Sequence, residues 1–155
     1  MSVAFRRDGD EEHLEPRFEI PIPSGPNLVT PAGKAHIDAR VRALAAQVAE
    51  AGDEAVITAA RRDLRYWQAR QITAEVPPRP AGDRVAFGTT VTFALNGRTR
   101  SLAIVGTDEA DGAVGLLSFT APLARALMGA EPGEWLPFGG KDDALEVLSI
   151  AVVPV

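Results

Sequence analysis

The sequence predicts an α+β protein in which an N-terminal antiparallel helical hairpin precedes a small, separate α+β domain. Three observations carry that expectation. Apolar residues recur at steps of three and four within residues 27–76, the period of helices with one buried stripe. Beyond residue 84 the apolar period shortens to two, as in half-buried strands. Between them stands PPRPAGD, residues 77–83, a stiff linker that marks a boundary.

The elements follow in order. Residues 1–26 carry Asp8, Asp10, Glu11, Glu12, Glu15 and Glu19, and then Pro16, Pro21, Pro23 and Pro26. So polar and Pro-rich a stretch buries too little surface to offset its ordering entropy, so a flexible acidic arm is expected, with Phe18, Ile20 and Ile22 in alternation. Thr30-Pro31 opens the first helix, because Thr caps and Pro is preset for the first helical position. Ile37, Val41, Leu44 and Val48 form its stripe, and Gly52 breaks it. Ile57, Ala60, Leu64 and Trp67 stripe a second helix that must end by Val76, before Pro77 and Pro78. Two single-striped helices on a tight turn bury their stripes against each other. In 84–155, VAFGTTVTFAL and RTRSLAIVG flank Asn96-Gly97, a strong hairpin turn. GLLSF reads as a third strand, APLARALMG as a short helix closed by Gly129, and EWLPF and ALEVLSIAVVPV as the last strands. Gly139-Gly140-Lys141 reads as a turn.

Composition narrows the function. The 155 residues are 46% hydrophobic and 24% charged, enough for a real core. With 21 acids against 16 bases, the net charge of −5 disfavours stable binding to free nucleic acid. The absence of cysteine excludes disulfides, thiolate zinc sites and cysteine nucleophiles. No apolar run suits a signal segment or the ~20 residues of a membrane span. A soluble, cytoplasmic monomer is expected.

Few residues point to chemistry. The only histidines are His13 and His36, and no triad, Walker loop or GxGxxG is present. One His without partners makes no metal site. Two acidic places remain. At the hairpin tip, Glu50, Asp53 and Glu54 are suited to cap the second helix and stabilise its dipole, or to carry carboxylates to a distant metal ion. In GTDEADG, residues 106–112, Asp108, Glu109 and Asp111 read either as a polar turn or as a face for a basic partner. Arg61, Arg62, Arg65 and Arg70 read as a solvated helix face.

Several motifs resemble one family. IVGTDEADGAVGLLSFTAPLARALMG, VAFGTTVTF and Thr30-Pro31-Ala32-Gly33 are similar to the GreA/GreB transcript-cleavage factors over roughly residues 27–152. The resemblance implies an N-terminal coiled coil followed by an FKBP-like α+β domain. It implies that the globular domain docks on core RNA polymerase at the rim of the secondary channel, through Asp108, Glu109, Asp111, Thr120, Pro122 and Arg125, and that the coiled coil points its tip at the active site. In cleavage factors, two tip carboxylates help hold a magnesium ion of the polymerase. Here Gly52-Asp53 matches the family tip, but Val56 stands at the second acid's position, and Glu54 is out of register. The hairpin is also shorter, which would withdraw the tip by about 15–20 Å at 5.4 Å per turn. The expectation is a polymerase-binding regulator of elongation without efficient cleavage. It is not an enzyme, and it needs no cofactor of its own beyond the polymerase's Mg²⁺ if cleavage occurs. It would be similar to the regulator of nucleoside diphosphate kinase. Two alternatives stand beside it: a cleavage factor using Asp53 and Glu54, and a prolyl isomerase or other FKBP-like binding module, for which Phe87, Phe93, Phe119, Trp135 and Phe138 are the available aromatics.

Overall fold

The computed structural model describes residues 19–154. The acidic arm expected at 1–26 therefore falls outside the described residues up to residue 18. The chain divides into two units. One comprises Ala35–Thr73 with the described residues up to Gly25, and the other Pro26–Lys34 with Ala74–Val155.

The first unit is a helical hairpin. Helices α1 (Pro31–Glu50) and α2 (Glu54–Thr73) have 20 residues each, about 30 Å at 1.5 Å per residue. The expected stripes are the buried ones: Ile37, Leu44 and Ala60 are inaccessible, and Val41, Val48, Ile57, Leu64 and Trp67 are half-buried. Each fully buried aliphatic side chain contributes roughly 1.5–3 kcal/mol. Trp67 meets the His36 ring edge-on at 5.5 Å, and the Arg40 guanidinium lies 5.7 Å from its centre. Gln71 donates to Asp38 at 2.9 Å. Residues 36–40 thus face 67–71 across the pair, as an antiparallel arrangement requires. Arg70 departs from the expected solvated face. It is buried, because it lies three residues beyond Trp67 on the inward side of the helix. Arg65 does lie in solvent, where its guanidinium donates to both Glu19 oxygens at 2.7 Å.

The second unit is a five-stranded sheet. Its strands are β1 (Thr89–Leu95), β2 (Arg98–Val105), β3 (Leu116–Ser118), β4 (Trp135–Phe138) and β5 (Lys141–Val152), in the order β3-β2-β1-β5-β4. Only β2 and β3 are parallel. Asn96 and Gly97 both take positive φ, 50° and 86°, and Gly139 and Gly140 take 62° and 80°. Those values let two-residue turns follow the twist of the strands, and they pair Leu95 with Arg98 and Phe138 with Lys141. Helix α3 (Pro122–Leu127) follows β3, and Gly129 beyond it has φ 84°. Ala124 and Leu127 of α3 join Val91, Phe93, Leu102, Ile104, Leu145 and Val147 in one core. Phe93 is fully buried, and Phe87, Phe119 and Phe138 pack on the cluster. The core takes up four of the five aromatics, and Trp135 alone is exposed, on edge strand β4.

The globular unit is larger than the 84–155 expected. It takes in 26–34 and 74–83 because the two chain segments bond to each other. Val29 N donates to the Glu75 carbonyl and Glu75 N to the Asn27 carbonyl, both at 2.9 Å. The expected alternation in β2 also fails in its second half, where Leu102, Ala103, Ile104 and Val105 are all buried. That half is covered on both sides, and the segment at Leu28 closes over its end: a Cβ on Gly106 would run into the Leu28 carbonyl.

Candidate functional site

Two loops leave the sheet at the same end, because β2 and β3 run parallel with Val105 beside Ser118. The loop after β2 starts with a 3₁₀ turn, Thr107–Glu109, and continues through a second, Gly112–Val114. The loop after β3 leads through Thr120 to Pro122 at the start of α3. Hydroxyl groups join them. Ser118 Oγ lies 2.8 Å from Thr120 Oγ1 and 3.4 Å from Thr107 Oγ1, and Thr120 N donates to Ser118 Oγ at 3.2 Å. The structure therefore brings the acidic loop beside the Thr120–Pro122 segment. Asp111, Thr120, Pro122 and Arg125 are exposed, and Asp108 and Glu109 are half-buried. Asp111 caps the second 3₁₀ turn, its Oδ1 accepting from Ala113 N at 3.0 Å, and its backbone forms a bridge with Leu116.

Glu109 is placed differently from its neighbours. Its Oε2 accepts from Gly106 N at 3.0 Å and from Thr30 N at 3.0 Å, and its Oε1 accepts from the Thr30 hydroxyl. Thr30 is buried, and its Oγ1 in turn accepts from Gly33 N at 3.1 Å, the expected helix cap. Gly33 is bare for a reason: a Cβ there would overlap the Glu109 carboxyl group.

The tip carboxylates lie in the hairpin unit. Asp53 caps α2 with one oxygen, Oδ1, which accepts from Ala55 N at 2.8 Å and Val56 N at 3.4 Å. Glu54 opens the helix and is exposed. No group of three or more His, Cys, Asp or Glu residues suited to a metal exists among the described residues. No helix among them is long and apolar enough to cross a membrane.

Sequence reasoning missed Ser118 and Thr107, which connect the two loops, and the bond from Thr30 to Glu109. The one signal for that bond was Gly33, a poor helix former in the first turn of a helix.

Residues 79–151 match the family model described as "Transcription elongation factor, GreA/GreB, C-term". Transcription elongation factor GreA of Pseudomonas putida is 32% identical over 136 residues, covering 86% of this chain and 82% of that protein. GreA of Anaeromyxobacter sp. (strain K) is 38% identical over 96 residues, covering 58% and 56%. The crystal structure of Thermus thermophilus GreA factor homolog 1 (Gfh1) is similar at a TM-score of 0.37 and 16% identity, over 82% of this chain and 99% of that one. The extent of the match to the Pseudomonas protein, joined with the motifs on both parallel-strand loops, settles the relationship: the chain belongs to the GreA/GreB family of transcription elongation factors.

Proposed function

We propose that this protein binds core RNA polymerase at its secondary channel and regulates elongation without efficient transcript cleavage. Docking falls to the face made by the two loops, with Asp108 and Asp111 meeting basic groups and Thr120, Pro122 and Arg125 completing the contact. The observation that carries the non-cleaving reading is the hairpin. Its helices end after 20 residues each, and Val56 stands where the family tip has its second acid. A carboxylate acts on a metal-bound water only within a few ångströms, so a tip short by several helical turns occupies the channel without reaching the reaction.

The test uses backtracked elongation complexes with Mg²⁺. The protein is expected to bind and to compete with a cleavage factor while leaving the RNA full length. No binding at micromolar concentration overturns docking. Shortened RNA that disappears in the D53A/E54A double variant overturns the non-cleaving reading and makes the protein a cleavage factor.

A further inference from the structure

We propose that Glu109 is a positioning residue that works inward, holding the acidic loop in place so that the exposed Asp111 carries outward charge. This rests on the docking reading for its consequence, but not for its geometry.

The carboxylate of Glu109 bridges two segments 79 residues apart in sequence. On one side it closes its own 3₁₀ turn through Gly106 N, while Glu109 N donates back to the Gly106 carbonyl at 3.0 Å. On the other it takes the amide and hydroxyl of the buried Thr30. Three donors converge on two oxygens. The two glycines make room: a Cβ at Gly33 or Gly106 would strike this carboxyl group, and at Gly106 also the Leu28 carbonyl. A side chain so enclosed by backbone donors is a poor electrostatic contact for an outside partner, because its charge is already met by N–H groups. Asp111 is exposed, and its side chain caps its own turn through Oδ1. Glu109 and Asp111 thus divide by role: the first fixes the loop, and the second presents charge.

The donor pattern allows a clean separation of charge from shape. In Glu109→Gln, the amide oxygen can take the place of Oε2 and accept from both N–H groups. The amide nitrogen can then donate to Thr30 Oγ1, since a hydroxyl has two acceptor positions. The lock survives without its charge. Glu109→Ala removes it. Asp111→Asn keeps the turn cap, as Asn caps as well as Asp, and removes only the charge.

The experiment measures two things on the full chain: amide hydrogen exchange at Thr30, Gly33 and Gly106, and affinity for core polymerase at low salt. E109Q is expected to keep the protected amides and to bind within about threefold of the unmodified protein. E109A is expected to lose protection by about a hundredfold and affinity by about tenfold. D111N should keep all protection and lose about tenfold in affinity, a loss that shrinks as salt is raised. If E109Q binds as weakly as E109A with its amides still protected, Glu109 contacts the partner directly and the proposal is overturned. Protection that persists in E109A overturns it equally. If E109A fails to fold, E109Q decides alone, since lost protection there refutes the lock and retained protection with near-normal binding upholds it. If the unmodified protein does not bind polymerase, docking fails, and the exchange data still decide the lock.

Discussion

Asp53 and Glu109 are both acids whose carboxylates accept from backbone amides at a helical turn, yet they do opposite kinds of work. Asp53 bonds to amides two and three residues ahead and stays in solvent. Glu109 bonds to a residue 79 positions away and is half-buried. The first is a local cap that any short peptide of this sequence would favour. The second exists only once the sheet has formed and residues 26–34 have settled against it. A carboxylate's worth therefore depends less on its helix position than on how many buried donors would be left without it.

The largest expected effect that sharpens this contrast is Gly33→Ala. In an ordinary helix the change is favourable by about 1 kcal/mol. Here the added methyl displaces the Glu109 carboxyl, and buried N–H groups lose their acceptor, so a net loss of about 2 kcal/mol is expected. Chemical denaturation followed at the Trp135 fluorescence of the globular unit checks it, with the second tryptophan replaced by Phe in both proteins. An unchanged or raised midpoint would refute the role given to the bare glycine. Asp53→Ala comes next, with a loss of about 1 kcal/mol confined to the hairpin. It is read as faster amide exchange at Ala55 and Val56, and Asp53→Asn should restore protection.

The smallest effect belongs to Glu19. Its carboxyl is held below the ordinary carboxylate range, first by the hydrogen bonds from Arg65, with the charges of Arg65 and Arg62 adding to that against an opposing desolvation. A depressed folded-state value means the contact contributes above the ordinary carboxylate range and is lost as pH falls through the depressed value. Both side chains are more than half exposed, so acidification should release residue 19 from α2 without moving the hairpin's melting temperature measurably. Side-chain NMR of the Arg65 Nε–H through an acid titration reports the release.

The sequence made local features plain. The stripes of Ile37, Leu44 and Ala60, the Thr30 and Asp53 caps, and the Asn96-Gly97 and Gly139-Gly140 turns all depend on spacing of a few residues, and all are present. Features set by distant residues were not legible. Burial of Arg70, the two-sided burial of β2 and the inclusion of 26–34 in the globular unit depend on which segments meet. The candidate face was half readable. Motifs named Asp108, Asp111 and Pro122, but nothing in the spacing revealed that the parallel pairing of β2 with β3 sets Ser118 and Thr107 between the two loops.

The sheet order has a consequence for synthesis. β5 lies between β1 and β4, and β4 pairs with no other strand. A chain emerging from the ribosome therefore leaves β4 unpaired until residues 141–146 follow it, and one edge of β1 open until residue 152 has cleared the exit. Closure is a late, long-range event joining Thr89 to Val152, slow beside the local β4–β5 hairpin because the chain between its partners must be ordered first.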